Sequence, residues 1–158
     1  MSNALKILVT ILRGLPGSGK TTWISKNCRN ARICSADDFF MENGVYKFNP
    51  SKLGEAHAAC LMHFLKGLQI VRSHPKELLD FDEIVVDNTN TEAWQISPYL
   101  ALAQAFGFEV RIVEMIPGLP WCAGHNSHEV PFQTLLQMDE QMKQPLPGHW
   151  PQVQHENS

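Results

Sequence analysis

The residues of this chain whose types and spacing point most directly to chemistry lie at positions 14 to 21, where the sequence reads Gly-Leu-Pro-Gly-Ser-Gly-Lys-Thr. This segment matches the pattern G-x-x-x-x-G-K-[ST], in which glycines let successive main-chain N–H groups point inward and hold an anion. Lys20 is expected to reach the β and γ phosphates of ATP or GTP, and the Thr21 hydroxyl to bind Mg²⁺. The sequence therefore predicts a nucleotide-binding loop made of Gly14, Leu15, Pro16, Gly17, Ser18, Gly19, Lys20, Thr21 and Thr22.

Two acidic residues follow other apolar segments of the chain. Asp87 ends the run Glu-Ile-Val-Val, which predicts a ligand of Mg²⁺ at the end of a buried strand; the alternative is a carboxylate that caps the turn after it. Asp37 follows a short apolar segment and is predicted to be the general base that accepts the proton of an attacking hydroxyl. The alternative for Asp37 is a structural pair with Asp38, which we interpret as a turn cap.

Alternating strand and helix patterns must position these side chains. Such alternation is typical of an α/β domain with a parallel central sheet, in which strand ends meet at one edge. We therefore expect the loop, Asp37 and Asp87 to converge. The predicted strands cover 6–13, 32–35, 83–87 and 109–115, and the predicted helices cover 20–27, 51–73, 97–107 and 132–142.

The domain is predicted to span residues 5–144. Residues 145–158 are rich in proline and polar residues, which favours a flexible C-terminal tail. The pair Ser97–Pro98 predicts a helix start, with serine as the cap and proline in the first turn. Residues 1–4 are set aside from fold reasoning, since one interpretation of them is a remnant of an expression tag.

Composition limits the possible partners. The chain has 158 residues, with 13 basic and 16 acidic residues, so no overall positive field attracts nucleic acid. Four cysteines are scattered without C-x-x-C spacing, which predicts reduced thiols in a cytoplasmic protein. No stretch of about 18 apolar residues occurs, so we expect no contact with a membrane interior.

At these motifs the chain resembles the P-loop kinase domain of polynucleotide 5′-hydroxyl kinases and the small predicted ATP-binding kinases similar to them. The resemblance covers about residues 5 to 143 and rests on the segments 14–23, 35–39, 46–57, 87–90 and 128–131. It implies a three-layer P-loop NTPase fold that is nucleotide-kinase-like, with a short mobile lid near residues 117–130. It also implies that ATP binds at residues 14–21 and that Lys20 and Asp37 act in catalysis, with Asp37 as the general base. The acceptor that it implies is a nucleic acid or a nucleotide-like molecule.

The chain departs from this family in its lid. Where the family commonly places arginines that neutralise charge in the transition state, residues 123–126 read Ala-Gly-His-Asn, and residues 117–131 contain neither arginine nor lysine. Phe40 occupies a position where polynucleotide kinases often carry an arginine. An arginine at a phosphoryl-transfer transition state contributes about 10³- to 10⁵-fold in rate. Three functions therefore stay open: a phosphotransferase, a degenerate kinase that acts as a nucleotide-binding regulatory module, and a small-metabolite kinase.

Two lid histidines offer partial substitutes for the missing arginines. His125 or His128 could donate to phosphate when protonated, and nearby phosphates would raise the pKa of such a group. A partner could instead supply an arginine in trans. A less favoured interpretation is that Cys122 joins the two histidines in a metal site, although this spacing fits no standard zinc pattern.

Overall fold

The architecture is known from a computed structural model, which describes residues 7–157. The predicted domain start at residues 5–6 and the excluded residues 1–4 lie outside that range. Five parallel strands form the central sheet in the order β2-β5-β1-β6-β7. The strands are β1 (Leu8–Arg13), β2 (Ala31–Cys34), β5 (Glu83–Val86), β6 (Glu109–Met115) and β7 (Val153–Glu156).

Helices cover both faces of this sheet, because adjacent residues of each strand point to opposite sides. Ile11 packs in a large cluster with α2 and α3, whereas its neighbour Leu12 packs in a smaller cluster with Trp23 and Ile24 of α1. The predicted three-layer α/β arrangement is confirmed. The helices are α1 (Lys20–Asn27), α2 (Leu53–Ser73), α3 (Ala93–Ala105), α4 (Leu119–Gly124) and α5 (Phe132–Met142).

A small hairpin follows the second strand and lies outside the main sheet. A 3₁₀ turn covers Ala36–Phe40, and strands β3 (Met41–Glu42) and β4 (Val45–Tyr46) then pair antiparallel. Asn43 and Gly44 both have positive φ, of 51° and 80°, as a two-residue hairpin turn requires. The sequence predicted only an extended or irregular segment here, because strands of two residues carry no periodic signal.

The C-terminal segment differs from its prediction. Residues 145–158 were expected to form a flexible tail, but Val153–Glu156 form β7, which pairs in parallel with β6 at the edge of the sheet. Val153 lies opposite Ile112, and Val153 packs against the main core together with Leu146 and Trp150. The strand reads Val-Gln-His-Glu, with a single apolar residue, so it carries neither the alternation nor the apolar run from which a strand is predicted.

The helix start predicted at Ser97–Pro98 was wrong. Helix α3 begins at Ala93, and Glu92 is its N-cap; the Gln95 side chain accepts a hydrogen bond from the Glu92 main-chain N–H at 3.1 Å. This reciprocal capping box stabilises an earlier start. Pro98 therefore lies inside the helix, where it cannot donate the main-chain hydrogen bond of that position.

Replacing Pro98 with alanine should raise the free energy of unfolding by about 1–2 kcal/mol. A helix-interior proline costs about 3 kcal/mol, and the stiffening that it gives to the unfolded chain offsets about 1 kcal/mol of that cost. Chemical denaturation measures the change. The control is Pro75→Ala, which lies outside any α-helix and should gain no stability. A Pro98→Ala protein less stable than the parent would contradict this account.

The four cysteines are free and buried. Burial raises the pKa of the Cys34 thiol to about 12 and that of the Cys28 thiol to about 11, so neither is a ready nucleophile at neutral pH. Among residues 7–157, no helix combines the length and the apolar character that a membrane crossing requires.

Candidate functional site

The predicted phosphate-binding loop connects the central strand β1 to the first turn of α1. Gly17 and Gly19 have φ values of 80° and 98°, which lie in the left-handed region that glycine adopts without strain. Gly14 has no space for a side chain, because a Cβ there would lie 2.5 Å from Ser18 Oγ. The Lys20 ammonium group donates hydrogen bonds to the Gly14 and Leu15 carbonyl oxygens at 3.0 and 2.9 Å. The loop is thus curled around its own lysine.

Residues 88–90, Asn-Thr-Asn, join the strand ends around this loop. Asn88 Oδ1 accepts a hydrogen bond from Ala36 N at 2.9 Å, which connects the end of β5 to the start of the 3₁₀ turn. The Thr89 carbonyl accepts a hydrogen bond from Gly14 N at 2.8 Å. Asn90, with a φ of 47°, donates its side-chain amide to the Leu12 carbonyl at 2.8 Å. These bonds hold the ends of β1, β2 and β5 at one edge of the sheet, as predicted.

The charged groups at this edge act on one another. Burial lowers the pKa of Lys20, and the carboxylates of Asp87 and Asp37 partly oppose that shift. Burial raises the pKa of Asp87, and the Lys20 ammonium group is the largest opposing influence. The three groups are therefore close enough to interact electrostatically. An anion arriving at Lys20 would add to the field that keeps this lysine protonated.

Asp37 lies within the 3₁₀ turn and contacts two other parts of the chain. The Tyr46 hydroxyl of the hairpin donates a hydrogen bond to Asp37 Oδ1 at 3.2 Å. His128 Nε2 lies 3.7 Å from Asp37 Oδ2, and the Tyr46 and His128 rings are 4.2 Å apart. Burial and the Asp37 charge raise the pKa of Tyr46 to about 12, so its hydroxyl stays a proton donor at neutral pH. The side chain of Asp37 itself is half exposed.

The segment predicted to be a lid packs directly on the phosphate-binding loop. It contains α4, whose C-terminal end approaches Gly17 so closely that a Cβ there would lie 2.4 Å from the Cys122 carbonyl oxygen and 2.9 Å from that of His125. The His125 ring stacks on Trp121, with centroids 3.9 Å apart, and its Nδ1 lies 2.8 Å from the Trp121 carbonyl oxygen. His125 is thus held by the lid, whereas His128 reaches Asp37.

A buried arginine connects the start of the loop to neighbouring segments of the chain. Arg13, the residue before the loop, is 2% exposed and pairs with Glu114 of β6 at 2.8 Å. Its guanidinium also donates to the carbonyl oxygens of Asn90 and Thr91, at 3.1 and 2.6 Å. His155 Nδ1 of β7 lies 3.1 Å from the second oxygen of Glu114. This network connects the loop, the end of β5 and the C-terminal strand.

The structure thus brings Lys20, Asp37 and Asp87 to the edge of the sheet where the loop lies, and Thr21 is in the first turn of α1. Sequence reasoning considered Tyr46, with Phe39 and Phe40, as an aromatic that could stack on a base, but it missed the contact of Tyr46 with Asp37 and the role of Arg13. Nothing in the local sequence connects Tyr46 to Asp37. Arg13 shares the Ile11 face of β1 and lies in register with Glu114 of β6, a pairing that requires the strand order to be known. Within residues 7–157, no three histidine, cysteine or acidic side chains are grouped as a metal site, so the Cys122–His125–His128 alternative is wrong.

A parallel sheet with a phosphate-binding loop after its central strand and acidic residues at the neighbouring strand ends defines a P-loop protein with a kinase-like fold. The comparisons with known proteins agree with this class. The chain belongs to the AAA domain family (AAA_33), whose model matches residues 9–145. The resemblance to P-loop kinases inferred from the motifs is confirmed.

Known relatives extend this comparison. Human NEDD4-binding protein 2 is 32% identical over 145 residues, which cover 85% of this chain and 8% of that protein. A chain of the Pnkp1/Rnl/Hen1 RNA repair complex aligns with a TM-score of 0.64 and 15% identity, over 87% of this chain and 44% of that one.

Two further solved structures share the fold. The AvrRxo1-ORF1:-ORF2 complex with ATP has a TM-score of 0.61 and 18% identity, over 87% of this chain and 47% of that one. The tunicamycin resistance protein of Deinococcus radiodurans has a TM-score of 0.57 and 10% identity, over 96% of this chain and 86% of that one. This chain spans less than half of the first two solved chains and a small part of the human protein.

Proposed function

We propose that this protein is an ATP-dependent phosphotransferase that moves the γ-phosphate of ATP to a hydroxyl group. The observation that carries the proposal is the placement of Asp37, in the turn bonded to Asn88, at the edge of the sheet where the loop holds Lys20. The loop offers main-chain N–H groups and one ammonium group to a triphosphate, and Asp37 offers a carboxylate to an alcohol. An AvrRxo1 structure with ATP and a chain of an RNA repair complex are among the proteins of this fold, which supports the proposal.

In the proposed reaction, the acceptor hydroxyl oxygen attacks the γ-phosphorus of ATP. The bond between that phosphorus and the β–γ bridging oxygen breaks, and ADP leaves. The hydroxyl proton passes to the Asp37 carboxylate. Tyr46 donates to Oδ1 of that carboxylate, so it orients the group and leaves Oδ2 to face the acceptor and His128. Lys20 turns from the loop carbonyls to the β and γ phosphates.

The residues present also fit a magnesium ion. Thr21 provides a hydroxyl oxygen and Asp87 a carboxylate, and oxygen atoms are the ligands that Mg²⁺ prefers. Burial raises the pKa of Asp87, and the Lys20 ammonium group is the largest influence that opposes this shift. A cation beside Asp87 would therefore compensate the charge of the buried carboxylate. When bound, Mg²⁺ supplies positive charge to the β and γ phosphates.

A second candidate function is a nucleotide-binding regulatory module with negligible turnover. The observation that favours it is the lid, because residues 117–131 contain no arginine or lysine and His128 is directed to Asp37 instead of the loop. In other phosphoryl-transfer proteins, an arginine at the transition state raises kcat about 10³- to 10⁵-fold. The lid of this protein supplies no such residue.

One experiment separates the two candidates. The protein is incubated with γ-labelled ATP, Mg²⁺ and a panel of hydroxyl acceptors that includes 5′-hydroxyl oligonucleotides, nucleosides and small alcohols, and its thermal stability is measured with each nucleotide. We expect label transfer to at least one acceptor, and stabilisation of about 2.7 kcal/mol at an ATP concentration of 100 times Kd. Stabilisation without transfer supports the regulatory module. No stabilisation by any nucleotide contradicts both functions.

Replacing Lys20 with alanine should weaken ATP binding about 10- to 100-fold, because hydrogen bonds from a charged group contribute about 1.5–3 kcal/mol. Calorimetric titration with ATP measures the Kd. The matched control is Lys26→Ala in the last turn of the same helix, which should bind ATP like the parent protein. Equal ATP affinity of the Lys20→Ala and Lys26→Ala proteins would exclude the loop as the phosphate site.

A further inference from the structure

We propose that the acceptor bound beside Asp37 is an alcohol that carries a planar ring and has no phosphate group next to its reacting hydroxyl, as in a nucleoside. This inference rests on the phosphotransfer proposed above and specifies the acceptor for that same site. It follows from two properties of the surface next to Asp37, which are its aromatic side chains and its charges.

The first property is an aromatic cluster made of Phe39, Phe40, Tyr46 and Phe48. Phe40 is 5% exposed and forms the centre, with the rings of Phe39 and Phe48 at centroid distances of 5.4 and 5.1 Å. Phe39 and Phe48 are 41% and 52% exposed, so the cluster presents open aromatic surface to solvent. Contiguous exposed apolar surface, unlike scattered single residues, is a feature of ligand and interaction sites, and planar rings stack on aromatic side chains.

The aromatic cluster lies in direct contact with Asp37, the predicted base. Tyr46 stacks against Phe48 with an interplanar angle of 12°, and its hydroxyl group donates to Asp37 at 3.2 Å. His128 contacts both Tyr46 and Asp37. A ring bound on the cluster therefore has its substituents near the Asp37 carboxylate. This continuity favours an acceptor over a partner protein, which would use the exposed rings without reaching the carboxylate.

The charges around Asp37 disfavour an acceptor phosphate. Asp38 is adjacent, and burial raises its pKa; His63 opposes that shift and the Asp37 charge adds to it. Burial lowers the pKa of His63 in turn, which favours its neutral form. The lysine of the hairpin, Lys47, pairs with Glu42 at 3.3 Å. Arg32, in the strand before Asp37, donates to the His63 carbonyl oxygen at 3.2 Å and lies over the Phe81 ring.

Two further histidines face the same region, and an imidazole, unlike a guanidinium or ammonium group, carries no fixed positive charge at neutral pH. One of them is His128, whose Nε2 lies 3.7 Å from Asp37 Oδ2. His57 interacts with Asp37, but burial lowers the pKa of His57 and favours its neutral form. Asp87 adds a further carboxylate, and the Lys20 ammonium group belongs to the phosphate-binding loop. A phosphate beside the acceptor hydroxyl would therefore meet like charges from Asp37 and Asp38. An uncharged ring meets no such penalty.

Three acceptors that differ by one feature test the inference. Cytidine has a ring and a 5′-hydroxyl, cytidine 3′-monophosphate adds a phosphate, and ribose lacks the planar ring. With γ-labelled ATP and Mg²⁺, we expect kcat/KM for cytidine to exceed that for each of the other two at least tenfold. Equal or faster transfer to the 3′-phosphate, to a 5′-hydroxyl oligonucleotide or to ribose overturns the inference, while the proposed phosphotransfer stands. No transfer to any acceptor overturns the proposed phosphotransfer itself.

Variants then locate the acceptor on the cluster. Phe48→Ala should raise KM for cytidine at least tenfold and leave KM for ATP unchanged. Phe48→Leu keeps an apolar side chain, so it tests the ring even if the alanine variant is unstable. The matched control is Leu78→Ala. Leu78 is an apolar side chain that is 70% exposed, and it lies between α2 and β5, at the edge of the sheet where strands begin and away from Asp37. If Phe48→Leu and Leu78→Ala both leave KM for cytidine at the parent value, the cluster does not bind the acceptor.

Discussion

Replacing Asp37 with asparagine should lower kcat for phosphate transfer by about 10²- to 10⁴-fold, the range that a positioned general base contributes. Asparagine has the same shape, and its amide oxygen can still accept the hydrogen bond that Tyr46 donates, so the hairpin should stay in place. What is lost is the ability to take a proton from the attacking hydroxyl. Single-turnover transfer from γ-labelled ATP at saturating acceptor measures the change.

The neighbouring carboxylate provides the control for this prediction. Asp38→Asn removes the same charge one residue away, and we expect its kcat to stay within about tenfold of the parent protein, since Asp38 has no contact with Tyr46 or His128 among the described hydrogen bonds and ion pairs. ATP affinity should be nearly unchanged in both variants, because the proposed phosphate contacts come from Lys20 and the loop and not from these carboxylates. A larger loss in Asp38→Asn than in Asp37→Asn would reverse the two assignments.

Replacing Arg13 with methionine should lower the free energy of unfolding by about 3–5 kcal/mol, the usual cost of breaking a buried ion pair from one side. Methionine is similar in length and fills the space, so the loss isolates the charge. Among residues 7–157, the Glu114 carboxylate would keep His155 as its one ion-pair partner, and the carbonyl oxygens of Asn90 and Thr91 would lose the donors of Arg13. Urea denaturation followed by circular dichroism measures the difference.

Two further variants sharpen this test. Arg29→Met changes an exposed arginine and should alter the free energy of unfolding by no more than about 0.5 kcal/mol. The double variant Arg13→Met with Glu114→Leu should recover part of the loss, because a pair of apolar side chains can replace a buried ion pair at little cost. A loss below 1 kcal/mol in Arg13→Met would mean that water or neighbouring groups compensate Glu114.

The phosphate-binding loop was predictable from sequence because its requirements are local. The loop requires a left-handed φ at Gly17 and Gly19 and a lysine at a fixed distance from them. Few sequences other than this glycine-rich pattern meet those requirements. The convergence of Asp37 and Asp87 with the loop was also predictable, since parallel strands place their ends at one edge of the sheet. These parts depend on chain direction and strand order, and not on side-chain packing.

The parts that the sequence failed to predict depend on contacts between distant segments. Strand β7 exists because Val153 pairs beside Ile112 and packs on the core, which no polar pattern within residues 153–156 can reveal. Helix α3 begins before Ser97 because Glu92 and Gln95 cap each other, and this outweighs the preference of Pro98 for a first turn. Tyr46 reaches Asp37 only through a hairpin of two-residue strands.

The hydrogen bonds of residues 88–90 have a consequence for how binding free energy is used. They join the ends of β1, β2 and β5 through Gly14, Leu12 and Ala36 without involving any ligand. In the proposed phosphate transfer, the separation between the ATP side and the acceptor side would therefore be set when the chain folds, and little rearrangement of the sheet would be needed during the reaction. We infer that adaptation to different nucleotides or alcohols would then fall to α4 and the hairpin, where specificity can diverge while the scaffold stays the same.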